Sequence, residues 1–372
     1  MSRAIDACTA AAIRIGDPDA SFRAIADILM EEPPLSTPAV HLEIEILGRE
    51  YPSLPAGKYL LHDGNAVAIP KTSLLQAFAV ARKLLQRYKN VPLSSVGTDD
   101  GQSLWRATAV ILLADPEHLT AANTRKRLIQ ASLQQQTPAL PAAEAASALL
   151  NRELYLVDSL LTSHLHRHNK SPTLWNHRRW LLSSLATPAT RESYEEGKKQ
   201  LFHGMTKVIM ISAVRHPRNY YAWEHARWLV CWLHTFNAEK DESKSLVVMI
   251  RDWCYRNHTD TSGWSFLLFL LALLSSPPTA ASLSPLYDET VVQVVQMVKS
   301  LRWTGEAVWV FLRTAVALQR RVRGDKMACH NFEDTVSALL DTVDITSIDY
   351  QVLQRSQKWC AVYSVGRIHA TV

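Results

Sequence analysis

The chain has few charged residues and no long apolar run. Of its 372 residues, 20% are Asp, Glu, Lys or Arg, below the quarter that is usual in soluble domains. The longest apolar run, residues 266–274, falls short of the about 20 residues that a membrane-spanning helix needs. Lys and Arg (40) nearly balance Asp and Glu (35), which argues against a protein that mainly binds nucleic acid. We therefore expect a cytoplasmic protein with no membrane span, whose surface is largely covered by a protein partner.

Cysteine and the common catalytic motifs are also scarce. The five cysteines include no Cys-x-x-Cys pair, so we expect a reducing compartment and neither a disulfide framework nor a structural zinc site. Of His164, His166 and His168, only the first and last share a helical face, and no acidic or Cys residue stands at ligand spacing. We interpret that stretch as a solvated helix end and expect no metal in this chain. The sequence has no nucleophile elbow, glycine-rich phosphate loop or His-Glu-x-x-His motif, so the chain alone is not expected to be an active enzyme.

What the sequence does contain is a repeated tryptophan pattern. The run SPTLWNHRRWLL at residues 171–182 returns as NYYAWEHARWLV at residues 219–230. Weaker copies place a tryptophan at Trp264 and at Trp309, and a degenerate copy at residues 119–130 has Ala122 there. The spacing of 41 to 53 residues between copies indicates a tandem supersecondary unit. The positions that coincide in the two strongest copies are Trp175 with Trp223, His177 with His225, Arg179 with Arg227, and Trp180 with Trp228.

Apolar residues recur at helical spacing around these copies. Leu150, Leu154, Val157 and Leu161, for example, form the stripe of one amphipathic helix. Ser171 and Pro172 provide an N-cap and a first-turn proline for the helix that contains Trp175, and Asn219 is the cap of the corresponding helix in the next copy. The predicted helices span residues 71–88, 102–114, 117–134, 143–164, 194–214, 220–236, 245–255 and 291–301, and residues 275–285 are a predicted loop.

These patterns predict an all-α fold, a right-handed superhelical solenoid of about five helical hairpins with a crescent shape. We expect a divergent, partly helical segment at residues 1–95, the helical repeats at 96–325 and a helical cap at 326–372. Residues 57–70 form either a small β-hairpin about Asp63, Gly64 and Asn65 or an irregular segment. No stretch after residue 70 shows the alternation and turn signals of strands.

Asn219, Tyr220, Trp223, Arg227 and Trp228 resemble the repeat of protein prenyltransferase alpha subunits, whose signature is Asn-Tyr-x-x-Trp-x-x-Arg-x-Trp. The resemblance covers roughly residues 100–320. It implies an alpha-type subunit that wraps a separate beta subunit, with the zinc and the isoprenoid diphosphate held by that partner. The repeat-containing member that this chain resembles most further implies a Rab geranylgeranyltransferase type beta subunit. The implied reaction transfers a geranylgeranyl group to a C-terminal cysteine of a lipidated protein such as a farnesylated SNARE.

The same resemblance implies roles for individual residues. In the family, the residue five positions before the repeat tryptophan helps to hold the diphosphate. A Tyr three positions before that tryptophan lies at the same end of the helix. These positions are Arg218 and Tyr220 here, and Lys170 is the corresponding possible anion contact one unit earlier. The alternative for each of the two cations is a solvated surface residue, a helix-capping one in the case of Arg218. The remaining candidates either pack between hairpins or contact the partner: Trp175, His177, Arg179, Trp180, Asn219, Trp223, Arg227, Trp228, Trp264 and Trp309.

Scaffold proteins without enzymatic activity are the alternative. Tetratricopeptide repeats have a period near 34 residues, so the longer spacing here disfavours that class. A scaffold derived from the prenyltransferase family, which keeps the shape but not the catalysis, remains open. It is suggested by the fourth copy, where Phe266, Leu267 and Leu268 replace the polar residues of the family pattern.

Overall fold

The computed structural model describes residues 16–32, 40–48, 51, 54–55, 57–88, 98–134, 140–185, 199, 202–234, 240–275, 283–323 and 330–365. The chain divides into two compact units, Met1–His225 and Ala226–Val372, and the boundary falls inside a helix. The predicted division at residues 95 and 325 stays a prediction.

The first elements that the structure describes are a capped helix and a small sheet. Helix α1, Pro18–Leu29, starts at Asp17, whose Oδ1 accepts a hydrogen bond from Ala20 N at 2.9 Å. Strands β1 (Glu43–Leu47), β2 (Leu61–Asp63) and β3 (Ala66–Pro70) follow in the spatial order β1-β3-β2. The predicted β-hairpin is thus confirmed as β2 and β3.

The turn and the third strand of this sheet have local explanations. Gly64, the first of the two loop residues between β2 and β3, has φ +60°, as a type II′ loop requires. Strand β1 pairs in parallel with β3, Ile44 opposite Val67, and it was not predicted. The alternation of Glu43, Ile44 and Glu45 is the sequence pattern that indicates such a strand. The structure agrees with this pattern, because Ile44 and its partner Val67 are both buried.

The other elements that the structure describes in the first unit are helices. The helices in chain order are α2 (Lys71–Arg87), α3 (Thr98–Ala114), α4 (Leu119–Gln134), α5 (Leu140–Thr162), the single turn α6 (His166–Asn169), α7 (Pro172–Leu185), a π-helical stretch (Gly204–Ile209) that continues into α8 (Met210–Arg215), and α9 (Tyr220–His234), which crosses the unit boundary. Helix α3 packs on α4, α5 packs on α7, and α4 also contacts α7. These contacts are those of successive helical hairpins. The predicted helix over 194–214 lies partly outside the described residues.

The second unit repeats the arrangement. Its helices are α10 (Lys240–Arg256), α11 (Thr261–Ser275), α12 (Pro285–Leu301), α13 (Glu306–Arg323), α14 (His330–Leu340) and α15 (Ile348–Val365). Helix α10 packs on α11, α12 on α13 and α14 on α15, while α13 lies between α11 and α15. The predicted loop of residues 275–285 falls largely outside the described residues, and Ser284 caps α12 by accepting from Tyr287 N at 3.2 Å.

The all-α repeat fold is therefore confirmed, with one small sheet near the N-terminus, while the handedness and the crescent remain predictions. Among the described residues, no helix combines the length and the apolar character that crossing a bilayer requires.

The repeated tryptophan has a structural reason that recurs from copy to copy. Trp175, Trp264 and Trp309 each donate their indole N–H to the backbone carbonyl six residues earlier, at 2.9, 2.9 and 2.8 Å. All three rings are buried, as is that of Trp223. A large ring with one polar handle satisfies both the packing of the hairpin and the carbonyl of the preceding turn. The first tryptophan of each copy is thus a core residue.

Candidate functional site

The candidate site lies where helices α7 and α9 begin, within the first unit. Lys170 Nζ donates a hydrogen bond to the carbonyl oxygen of Pro217 at 3.2 Å. The rings of His166 and His216 meet edge to face with centroids 5.2 Å apart. The residues that precede α7 and α9, the tryptophan-bearing helices of two successive copies, therefore lie side by side, which brings the predicted anion contacts Lys170 and Arg218 to one surface. We call the helix that carries the first tryptophan of a copy its inner helix.

The buried side chain of Asn219 lies beneath this surface and connects its two turns by hydrogen bonds. Asn219 Oδ1 accepts from Ala222 N at 3.2 Å, and Asn219 Nδ2 donates to Asn169 O at 3.1 Å. The side chain thus caps α9 and also ties it to the turn before α7. The predicted cap role of Asn219 is confirmed, and the same atoms explain why this position needs an amide with both a donor and an acceptor.

Arg218 and Tyr220, on either side of Asn219, are exposed. Arg218 has φ +58°, in the left-handed region that glycine prefers, and its carbonyl oxygen accepts from Tyr220 N at 3.0 Å. The ring of Tyr220 is 60% exposed and lies edge to face against Tyr221, with centroids 5.8 Å apart. A cation and two exposed aromatic rings thus surround the start of α9, a composition that is enriched at protein interfaces.

The start of α7 differs from that of α9 in its electrostatics. Glu117 accepts hydrogen bonds there from Ser171 Oγ and, at 2.8 Å, from Thr173 Oγ1. Ser171 Oγ also accepts from Leu174 N at 3.1 Å, which confirms it as the N-cap. A carboxylate of the chain itself thus already lies at this helix end, which disfavours an external anion beside Lys170.

Two buried ionic networks hold the helices beneath the site, and the first contains His177. Arg125 Nε donates to Glu153 Oε1 at 2.7 Å, and His177 Nε2 donates to the same oxygen at 2.9 Å. Burial by itself would raise the pKa of Glu153, but the Arg125 charge and the hydrogen bonds from His177 and Arg125 lower it to about 2. Helices α4, α5 and α7 are joined through this carboxylate.

The second network connects α5, α7 and α9. Arg178 Nε donates to Asp158 Oδ1 at 2.7 Å, and Arg178 Nη1 donates to His225 Nε2 at 2.8 Å. Since a guanidinium has no acceptor, the His225 ring must accept and is neutral. Burial and the neighbouring Arg178 lower the pKa of His225 well below its usual value. His177 and His225 coincide in the sequence repeat, yet one bonds a carboxylate and the other a guanidinium.

The second tryptophan of each pair is only half-buried. Trp180 lies below Lys126, whose Nζ is 5.6 Å from the ring centroid, and Arg179 beside it is exposed. In the second unit, the rings of Trp228 and Trp232 stack 5.8 Å apart. Arg227 Nη2 donates to Ser265 Oγ at 2.9 Å. These side chains lie at the helix surface, where a partner could contact them.

The histidine-rich turn departs from its predicted character at one position. His168 is buried, and its Nε2 donates to Leu113 O at 2.7 Å. Burial lowers its pKa to about 4. The prediction of a solvated helix end is therefore wrong for His168, while His164 and His166 are exposed as expected. Sequence reasoning also missed Glu117, Glu153 and Asp158, which lie on neighbouring elements and share no period with the repeat.

Two family models match the part of the chain that contains α7 and α9. Residues 150–185, which include the end of α5 and all of α7, match the protein prenyltransferase alpha subunit repeat, and residues 174–282 match the ECM9 middle domain. The chain is 29% identical over 212 residues to protein prenyltransferase alpha subunit repeat-containing protein 1 of Danio rerio, over 52% of this chain and 42% of that protein. The Homo sapiens protein of the same name is 30% identical over 188 residues (45% and 40%). The Saccharomyces cerevisiae protein ECM9 is 25% identical over 223 residues (59% and 53%).

These matches span about half the length of the curated relatives, or less. The predicted resemblance to the protein prenyltransferase alpha-subunit repeat family is confirmed.

Proposed function

From the alpha-subunit repeat that this chain carries, we propose that it is the alpha-type subunit of a heterodimeric protein prenyltransferase. The observation that carries the proposal is the start of α9, where exposed Arg218 and Tyr220 flank the buried anchor Asn219. An exposed cation at the positive end of a helix favours a diphosphate. In this proposal the beta subunit supplies the zinc and the isoprenoid pocket. This chain contributes one side of the interface between the two subunits.

In this proposal Arg218 acts on the leaving group. As the bond between the isoprenoid and its diphosphate breaks, negative charge grows on the diphosphate oxygens. The guanidinium of Arg218 and the N-terminal dipole of α9 stabilise that charge, which lowers the barrier more than it strengthens substrate binding. Lys170 adds a second positive charge on the same surface, while its bond to Pro217 O keeps it in place. The group transferred is a geranylgeranyl group, and the acceptor is a C-terminal cysteine of a lipidated protein such as a SNARE.

The exposed aromatic pair is the contact that we assign to the beta subunit. Tyr220 and Tyr221 present two rings at the surface next to Arg218, and aromatic side chains supply large contact areas at little entropic loss. The Rab geranylgeranyltransferase type of beta subunit is the partner that the family relationship favours.

A family-derived scaffold without catalysis is the second candidate. It is favoured by the fourth inner helix, α11, whose Phe266 and Leu267 replace polar residues of the family pattern. Both side chains are fully buried, so core packing within the second unit accounts for the change. The loss of polarity there does not affect Arg218 or Lys170, which belong to the first unit.

Co-expression with candidate beta subunits tests the proposal. We expect a stable one-to-one complex with a Rab geranylgeranyltransferase type beta subunit on gel filtration. That complex should transfer labelled geranylgeranyl from its diphosphate to a farnesylated SNARE that retains a second C-terminal cysteine. A complex that forms but transfers no isoprenoid to any protein supports the scaffold, and failure to bind any beta subunit rejects the proposed role as a prenyltransferase subunit.

A further inference from the structure

Three side chains with metal-ligating atoms meet in the first unit, although they come from distant parts of the chain. They are His41, just before β1; Asp158, on α5; and His203, just before the π-helical stretch. One ligand atom from each lies within 4.8 Å of the other two. Because more than forty residues separate each from the next, no sequence motif of metal-ligand spacing could reveal the cluster.

The distances fit a shared ion better than a direct bond. His41 Nε2 lies 3.9 Å from Asp158 Oδ2, which is too long for a hydrogen bond. The rings of His41 and His203 are nearly perpendicular, with centroids 6.0 Å apart, and one nitrogen of each ring lies within 4.8 Å of the other. A tetrahedral ion bound at 2.0–2.1 Å places its ligand atoms about 3.3 Å apart. Closing the cluster around an ion therefore takes shifts of roughly 1 Å or less, within the reach of side-chain rotation.

The surroundings hold two of the ligands in place. Asn65 Nδ2 donates to the carbonyl oxygen of His41 at 3.0 Å, and Leu42 N donates to Ser159 Oγ at 3.1 Å. These bonds fix His41 against α5. Arg178 donates two hydrogen bonds to the Asp158 carboxylate, from Nε to Oδ1 at 2.7 Å and from Nη2 to Oδ2 at 3.4 Å. The longer bond holds Oδ2 less closely, and Oδ2 is the oxygen that lies 3.9 Å from His41 Nε2. Such outer hydrogen bonds orient the carboxylate ligands of metal sites.

We propose that His41, Asp158 and His203 bind a divalent transition-metal ion, with Zn²⁺ as the expected occupant. Two imidazole nitrogens and one carboxylate oxygen suit zinc, whereas magnesium and calcium select oxygen ligands alone. His41 and Asp158 are buried and His203 is half-buried, so His203 lies on the side from which the ion reaches the site. A fourth position is left for water.

The charge of Arg178 limits the affinity of this site. Its guanidinium lies against Asp158 and repels a cation, so the binding is weaker than at a site of the same ligands without it. The ion joins the segment before β1 to α5 and to the segment before α8, and it acts as a structural clamp of the first unit. This site is separate from the zinc that the proposed function assigns to the beta subunit, and it does not depend on that function.

Metal titration of the full-length, chelator-treated protein tests the proposal. We expect Zn²⁺ to bind at one equivalent and Co²⁺ to give the intense visible absorption of a four-coordinate site. His203→Ala, at the half-buried ligand, should weaken Zn²⁺ binding more than about 100-fold, because losing a ligand exceeds the about 10–100-fold effect of losing an outer hydrogen bond. His62→Ala is the matched control, since His62 is exposed and bonds only locally, to Gly64 O. Its affinity should equal that of the wild type.

If His203→Ala does not fold, two further measurements still test the ligand assignment. X-ray absorption of the zinc-loaded wild-type protein should show two imidazole ligands and a total of four neighbours. His166→Ala removes an exposed histidine of the 164–168 turn and should leave the binding unchanged. Zn²⁺ binding that survives in His203→Ala, that is lost in His166→Ala, or that shows six oxygen neighbours would overturn the assignment.

Discussion

Lys170 and Pro217 are joined by a hydrogen bond of 3.2 Å from the ammonium to the carbonyl oxygen, across 47 residues of sequence. The bond connects the turns that precede two successive inner helices. It places Lys170 beside the segment of Arg218, so that two cations of the first unit share one surface.

Replacement of Arg218 by Ala in the reconstituted heterodimer should lower turnover by about 10 to 100-fold. The reason is the loss of one charge-assisted contact of about 1.5 to 3 kcal/mol in the transition state. The association of the subunits should change little. Steady-state transfer of labelled isoprenoid gives the turnover, and a value equal to that of the wild type would identify Arg218 as a solvated cap residue.

Replacement of Arg218 by Gly separates the charge from the backbone conformation. At φ +58°, a residue with a Cβ is strained by about 1 to 2 kcal/mol, and glycine is not. We expect Arg218→Gly to reduce turnover like the Ala variant while the melting temperature stays equal or rises. Arg302→Gly is the matched control, since Arg302 has φ +52° at the end of α12. It should keep full turnover, and a loss of activity there would show that the effect at Arg218 is not specific.

Replacement of Trp223 by Ala should reduce the stability of the protein by about 3 to 5 kcal/mol, as for other fully buried aromatic side chains. Trp228→Ala, five residues later on the same helix, truncates a half-buried ring and should cost about 1 kcal/mol. Urea unfolding followed by circular dichroism compares the two variants. Equal effects would contradict the assignment of the first tryptophan to the core.

Acidification should destabilise the protein as Glu153 becomes protonated. Its pKa is lowered from 4.5 to about 2 in the folded state, so its contribution is present above pH 4.5 and is lost as the pH falls towards 2. Glu153→Gln should reduce this pH dependence. It should also destabilise by about 3 to 5 kcal/mol at pH 7, because Arg125 is left buried without its counter-charge.

Glu333→Gln is the control for that experiment. Glu333 pairs with Arg320 at 2.8 Å but is more exposed, so the expected effect is about 0 to 1 kcal/mol. A loss of stability as large as that of Glu153→Gln would show that burial is not the cause.

His168 should make the stability of the protein depend on pH in a second, higher range. Its pKa is lowered from 6.5 to about 4 on folding, so the unfolded chain binds the proton first and stability falls as the pH drops from 6.5 towards 4. The change amounts to about 3 kcal/mol at most. His168→Gln keeps a donor for Leu113 O and should flatten the stability curve in this range, whereas His164→Gln, at an exposed position, should not. Melting temperatures between pH 4 and pH 7 distinguish the two.

Much of the helical architecture is local and was predictable. Ser171 and Asn219 cap their helices through bonds to amides three residues away, and those bonds depend only on the residues at the turn. The apolar stripe of α5 and the tryptophan spacing likewise arise from the period of a helix. The hairpin at Gly64 follows from one residue that tolerates a positive φ.

The sequence by itself therefore determined the helices, their caps and the repeat, because each depends on residues within one or two turns. Only the tertiary structure decided the long-range pairs. Arg125 meets Glu153 across 28 residues, β1 pairs with β3, and His41 reaches Asp158 across more than a hundred residues. Such pairs depend on the path of the chain between them, and no period in the sequence records that path. The chemistry of the candidate site is built from contacts of this second kind, as in the bond between Lys170 and Pro217.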